Sequence, residues 1–297
     1  MKSIITFPDR GPWGDFGYRG NCSGHVIKEL ILHFNPLLFV DVCEGSGTSR
    51  DVCREMGLEY VGLDLHRRFD FTDNYVLSRL PRPADMVFSH PPYEGMVDYR
   101  NVGKWETPEL KTRDLSACES EEEFLQKCHL MLLNQREATR AGGNYATLIG
   151  DLRSKGRFRS FQADMISIMP RDELVGVAIK AQHNCQSDNR TYQGRFIPIL
   201  HEYLLVWDRK AATLFLIAFN KAIETKKRSE HVWRNLLRVI IMRLDGKASL
   251  SDIYREVEKE AGDLIAVRPH WMEKVRQQLQ FHFEHVSRGV WALPKAA

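Results

Sequence analysis

The sequence is short of several things, and each absence narrows what it can be. Its six cysteines (Cys22, Cys43, Cys53, Cys118, Cys128, Cys185) lie far apart and include no Cys-x-x-Cys pair, so neither a metal site nor a disulfide framework is expected. Reduced, mostly buried thiols are the plain reading. Long apolar runs are missing too. Leu37 to Val42 and Val239 to Leu244 are short and flanked by charge, which gives no membrane span and no signal peptide and leads us to expect a cytoplasmic protein. An excess of one charge is also lacking, with a formal net of +3 over 297 residues. What excess there is lies at one end: Lys226 to Ala297 holds fourteen Lys/Arg against nine Asp/Glu. A basic terminal module suits nucleic acid.

What is present is enough hydrophobic residue, 43%, to bury a full core. "NPLLFVDVCEGSGTSRDVCREMG" reads as a strand, a turn at Gly45-Ser46-Gly47 and a helix capped by Thr48 or Ser49. "EYVGLDL" is a second strand ending near Asp64 and "ADMVFS" a third. A helix opened by Ser120 and closed by Gly142 follows, then the strand "NYATLIGDLR", the helix "SFQADMISIM", and the strands "ELVGVAIKAQ" and "HEYLLVWDRK". This alternation predicts a doubly wound, Rossmann-like α/β sheet over residues 1–210. The polar loop Gln182 to Pro198 suggests that the last two strands form an antiparallel hairpin at one edge.

After a helical connection over 211–228 the pattern changes. "SEHVWRNLLRVIIMRL", "LSDIYREVEKEAG" and "PHWMEKVRQQLQFHF" are amphipathic, and "HVSRGVWALP" turns at Gly289. Three helices and a hairpin over 229–297 outline a winged helix-turn-helix DNA-binding domain. In its third helix Met272, Val275 and Leu279 are expected inward, with Lys274, Gln277 and Gln278 outward.

The glycine turn lets backbone approach a ligand closely. It lacks the Lys-Ser/Thr of a P-loop and the third glycine of the dinucleotide fingerprint. Asp41 opens the turn, and Asp64 sits where a carboxylate accepts ribose hydroxyls. Two acids around such a turn fit S-adenosyl-L-methionine, which has no phosphate to hold; both could instead be simple turn caps. "SHPPY" at the end of the third strand is the other notable feature. Two prolines fix their own φ and restrict the residue before them, so His90-Pro91-Pro92-Tyr93 is a rigid hook at a strand's carboxyl end, where ligands of open α/β sheets bind.

Taken with the turn about forty residues upstream, "SHPPY" makes residues 15–210 resemble the amino-methyltransferases of DNA, which methylate adenine N6 or cytosine N4 and carry [Asp/Asn/Ser]-Pro-Pro-aromatic. The resemblance implies a methyltransferase sheet, an extruded base stacked on Tyr93, and an amine oriented by the Pro91 carbonyl and His90 with Pro92 completing the hook. It implies a cofactor site of Tyr18, Asn21, Ser23, Asp41, Glu44, Gly45, Gly47, Thr48, Asp64, Asp70 and Ser89, with Asp73 the alternate for Asp70. His90 departs from the family pattern: a neutral imidazole still accepts one hydrogen bond and a protonated one none. No Pro-Cys dipeptide exists, which argues against cytosine C5 chemistry.

DNA is the expected partner, with a flipped base. Arg100 and Lys104, with Trp105, Lys111 and Arg113, lie on a polar loop after the hook that could close over the base. Arg153, Lys155, Arg157 and Arg159 follow another strand end; His183, Asn184, Asn189, Arg190 and Arg195 sit in the late loop; Arg268, His270, Lys274, Gln277 and Arg288 belong to the terminal module. Adenine-N6 methylation of DNA, as in phage or restriction-related modification, is the leading expectation. Cytosine-N4 or RNA methylation, and a non-catalytic DNA-binding regulator on the same fold, are the rivals.

Overall fold

The structure, a computed structural model, describes residues 1–93, 97–102, 105–154, 156–183, 197–210, 232–262, 265 and 270–293. The chain forms two compact units, Met1–Ser167 with Arg171–Ala211, and Ile168–Pro170 with Ala212–Ala297.

The first unit is built on a seven-stranded sheet of β1 (Ile4–Thr6), β2 (Leu38–Asp41), β3 (Glu59–Gly62), β4 (Ala84–Ser89), β5 (Thr139–Ile149), β8 (Leu174–Ala181) and β9 (His201–Asp208). Their order is β1-β8-β9-β5-β4-β2-β3. β2 and β4 read as unbroken apolar runs because central parallel strands are covered on both faces; Leu38, Phe39, Val40, Met86, Val87 and Phe88 are all fully buried. Helix α1 (Gly24–Phe34) presents Val26, Ile27, Leu30 and Ile31 to this core at helical spacing. Ser23 starts α1, its side chain accepting from the His25 amide. Helix α2 (Thr48–Glu55) follows the glycine turn, and α3 (Glu121–Ala138) and α4 (Phe161–Ile168) complete the layers.

The α/β sheet expected from the alternation is there, with four differences. β1, too short to stand out, forms an edge parallel to β8. The last two strands, β8 and β9, form the expected antiparallel pair, but β1 covers the outer side of β8 and β9 also pairs antiparallel with β5, so the pair lies inside the sheet and not at its edge. Helix α3 ends at Ala138 instead of Gly142, because the chain passes directly into β5; Gly142 and Gly143 lie within that strand. The residues after β5 form a small ribbon of β6 (Leu152–Ser154) and β7 (Arg157–Arg159). At α2 the cap is Gly47, at φ 93°, with no side-chain bond, since the Ser49 hydroxyl turns to Asp41.

In the second unit, helices Val232–Arg243, Leu250–Glu260 and Trp271–His282 accompany three antiparallel strands, β10 (Lys247–Ser249), β11 (Glu284–Ser287) and β12 (Val290–Ala292), ordered β10-β12-β11. β10 escaped the sequence reading. The last helix buries Trp271, Val275, Gln278 and Leu279, so Met272 is exposed and Gln278 is inside, the reverse of expectation. The i, i+4, i+7, i+8 face starts one residue earlier, on the large indole, which buries more apolar area than a methionine. The 211–228 connection lies outside the described residues.

No helix of the described residues is long and apolar enough to cross a membrane. Ser120 caps α3 by accepting from the Glu123 amide, with Glu121, Glu122 and Glu123 in the first turn. Ser120→Ala should lower the unfolding free energy by about 1 kcal/mol in urea titrations.

Candidate functional site

The carboxyl ends of β2, β3 and β4 open on one solvent-connected cavity, whose empty space, open solvent included, is about 790 Å³. Of the cofactor residues expected, Tyr18, Asn21, Asp41, Glu44, Gly45, Thr48, Asp64 and Asp70 line it, and of the hook His90 and Pro92 do. The two motifs that sequence reading separated by some forty residues thus meet.

Asp64 follows β3 and is 8% exposed. Its Oδ2 accepts from the Gly45 amide at 2.8 Å, and Oδ1 accepts from the His66 amide at 2.8 Å and faces His66 Nδ1 at 2.9 Å. Burial opposes its charge, but the bonds from His66 and from Gly45 outweigh that and hold the carboxyl below its ordinary range. His66 Nε2 faces the Val102 carbonyl at 3.0 Å, so both ring nitrogens meet acceptors and the ring favours its cationic form. Burial pulls the His66 pKa down, yet Asp64 raises it overall.

Asp41 ends β2 with its carboxylate buried. Oδ1 accepts from the Cys43 amide at 2.9 Å and Oδ2 from the Ser49 hydroxyl at 2.5 Å, tying strand, turn and helix together. Burial pushes its pKa up to about 7 against these two bonds. The turn itself needs glycine: Gly45 has φ 53°, and a Cβ there would come within 3.3 Å of the Tyr18 ring.

Other expected cofactor residues are placed differently. Glu44 borders the cavity, but its carboxylate is inside, paired with Arg67 and with Arg50 at 3.6 Å. Asn21 donates to the Asp15 carbonyl and accepts from Ser46 Oγ at 2.6 Å, bracing a loop. Asp70 is engaged on both oxygens, by the Thr72 amide and hydroxyl at 2.8 and 2.6 Å and by Arg113 Nε at 2.6 Å, while Asp73 also pairs with Arg113. Ser23, Gly47 and Ser89 do not line the cavity. Ser23 and Gly47 are helix caps, and fully buried Ser89 bonds Gln135 at 3.2 Å and Thr147 at 2.9 Å.

Within the hook, Pro91 and Tyr93 stand off the cavity wall. The Tyr93 hydroxyl donates to Glu202 Oε1 at 2.7 Å and lies 3.2 Å from His90 Nε2. Lys180 Nζ donates to Glu202 Oε2 at 2.6 Å. Burial opposes ionisation of Glu202, but His90 and Lys180 hold its carboxyl well below the usual range. Sequence reading missed Glu202 and Lys180, and also the lining residues His66, Tyr99 and Asp114; Arg113, expected on the loop after the hook, lines the cavity as well. A Glu at the mouth of an apolar strand was the one available signal, since burying a carboxylate there demands partners.

The expected nucleic-acid residues are scattered. Arg100 forks onto its neighbour Asp98 at 2.8 Å on both oxygens, Arg153 stacks over Phe158, and Arg157 pairs with Glu121 at 3.4 Å. His270, Gln277 and Arg288 are exposed, and Lys274 Nζ bonds Gln277 at 2.9 Å. Lys104, Lys155, Arg190, Arg195 and Arg268 lie outside the described residues.

The cavity was tested for fit to S-adenosylmethionine on its own donor set. Five carboxyl groups line it, from Asp41, Glu44, Asp64, Asp70 and Asp114, with the Arg113 guanidinium and the His66 ring. Asp41 keeps its proton up to about pH 7 and Glu44 and Asp70 are paired with arginines, so the lining is rich in acceptors without a large net charge, and suits hydroxyl and ammonium donors better than phosphates. Thr48 Oγ1, buried and without a hydrogen bond among the described residues, offers an unused polar atom on the same wall. Asp64 keeps one Oδ2 lone pair for a hydroxyl. The residues fit.

No family model matches the chain, and no curated protein matches it. Among solved structures it is similar to TehB of Haemophilus influenzae, at 10% identity, over 63% of this chain and 62% of that one, with a TM-score of 0.33. It is also similar to a SAM dependent methyltransferase of Archaeoglobus fulgidus (12%, 64% of this chain, 96% of that one, TM-score 0.32). A third is the 1,6-didemethyltoxoflavin-N1-methyltransferase of Burkholderia thailandensis, solved with S-adenosylhomocysteine (12%, 63%, 77%, TM-score 0.31). At these scores the likenesses carry no weight, and the functional reading stands on the cavity.

Because the folded chain keeps the Asp41 proton up to about pH 7, while an unfolded aspartate releases it near about pH 4, the associated stability is whole below about pH 4 and is lost as pH rises to 7. Asp41→Asn should remove that slope from the pH dependence of the urea midpoint, relative to the unsubstituted protein.

Proposed function

We propose that the chain transfers a methyl group from S-adenosylmethionine to the exocyclic amine of a nucleobase, adenine N6 of DNA foremost. One observation carries the reading: His90 and Pro92 of the hook at the end of β4 and the Gly45 and Asp64 wall at the ends of β2 and β3 border the same cavity. When bound, the cofactor supplies an electrophilic methyl on a sulfonium. Asp64 receives a ribose hydroxyl, and the remaining acceptors suit the ammonium group. His90 accepts one of the amine's hydrogens and aims its lone pair, so the chain contributes chiefly position and orientation. The prolines hold the hook's φ angles, and Tyr93, which stands off the cavity wall, ties the hook to Glu202.

The second unit supports duplex DNA as the substrate. Among its described residues the order helix, strand, helix, helix, strand, strand is compatible with a winged helix, and exposed Gln277 and Arg288 with the adjacent Lys274 suit base edges and phosphates.

His90→Ala and Tyr93→Ala should each cut methyl transfer by at least about 10²-fold while S-adenosylmethionine affinity by calorimetry stays nearly intact. Mass spectrometry of nucleosides from treated DNA and RNA reads the product: N6-methyladenine in DNA supports the reading, and N4-methylcytosine or a methylated RNA replaces it with a rival. Absence of S-adenosylmethionine binding would favour the non-catalytic regulator.

A further inference from the structure

Resting on the methyltransferase reading, the His90 departure raises a chemical problem: an imidazole serves as an acceptor only at the nitrogen that carries no proton. The surroundings of the hook decide which nitrogen that is. Glu202 on β9 sits opposite Lys180 on β8 in the ladder, and the 2.6 Å contact from Nζ makes its carboxylate an ionised, acceptor-only group. The Tyr93 hydroxyl has a single proton, and at 2.7 Å from Glu202 Oε1 it must give that proton to the carboxylate. At the 3.2 Å contact with His90, the tyrosine oxygen can therefore only accept, and Nε2 must be the donor. Glu202 Oε1, 3.6 Å from the same nitrogen, reinforces the choice electrostatically. Nδ1 makes no hydrogen bond to a described residue, and His90 borders the cavity.

We propose that Lys180, Glu202 and Tyr93 form a relay that fixes His90 as its Nε2–H tautomer, so that Nδ1 is presented as the acceptor for the substrate's amine. Glu202 and Lys180 are positioning residues, and Tyr93 conveys their effect to the ring. As the methyl carbon leaves sulfur for nitrogen, the sulfur keeps the bonding pair and becomes a neutral thioether. The amine nitrogen becomes cationic and releases one proton, which Nδ1 accepts and passes to water. A carboxylate, an amide oxygen or a hydroxyl in the hook's first position would need no such relay, because the first two oxygens carry no proton and the hydroxyl oxygen keeps a lone pair whichever way its proton points.

Nitrogen-15 NMR of the full-length, histidine-labelled protein reads the ring directly, with the His90 signals identified by their loss in His90→Gln. The expected spectrum of the unsubstituted protein is that of a neutral ring protonated at Nε2. Tyr93→Phe, which removes only the relay hydroxyl, and Glu202→Leu, which frees the tyrosine proton to point at Nε2, should both shift the ring toward the Nδ1–H form. Both should also lower kcat roughly 10- to 100-fold, with KM for the nucleic acid within about threefold. An unchanged tautomer in both variants, or a change of tautomer with kcat untouched, overturns the relay. Methyl transfer by the unsubstituted protein, measured on the same samples, tests the underlying reading separately: its absence sinks that reading, whereas a methylating enzyme with an unresponsive ring sinks only the relay.

Discussion

The bond from the Gly45 amide to the Asp64 carboxylate is the constraint on which the site depends. It joins the turn after β2 to the residue after β3, carrying the β2–β3 ladder one step further, past the backbone bonds from the Leu63 amide to Asp41 and from the Glu44 amide to Leu63. Through His66 the same carboxylate reaches the Val102 carbonyl, so one buried charge organises the glycine turn, the end of a neighbouring strand and the start of the polar loop after the hook. Removing such a charge leaves several donors without a partner, which costs more than any single bond contributes. The site is thus an electrostatic construction first and a shape second.

The loop after the hook continues this pattern. Arg113 spans Asp70 and Asp73, and Asp114 accepts from the Ser116 amide at 2.8 Å. Tyr18 and Tyr99 come together with ring centroids 6.1 Å apart, closing the apolar part of the wall. Burial first, and then Asp64, keep the Tyr18 phenol protonated, so it brings a donor and no further negative charge to an already acidic cavity.

The main features of the sheet could be read from the sequence because central parallel strands need continuous apolar runs, and Phe39, Val40, Val87 and Phe88 announce themselves. β1 could not, since a three-residue edge strand alternating exposed and buried residues carries almost no period. In the site, Gly45, Asp64 and His90 were legible because turn chemistry, an acid after a strand and a proline-locked hook are local patterns. Glu202 and Lys180 were not: their partners lie far along the chain, and only pairing in the sheet brings them to the hook. Glu44 and Asp70 show the opposite error, where an acid in the right place is absorbed by arginines that only tertiary structure supplies.

β9 runs against its neighbours on both sides, and this reversal has a mechanical corollary. In an all-parallel sheet only strand ends reach the ligand edge; here the beginning of one strand arrives there, bringing Glu202 with it. Sliding β9 by a single residue would displace that carboxylate by about 3.4 Å and turn it to the opposite face of the sheet. The ladder pairing of Leu204, Leu205 and Val206 with Leu148, Thr147 and Ala146 therefore acts as a gauge, setting where the Glu202 carboxylate meets the hook.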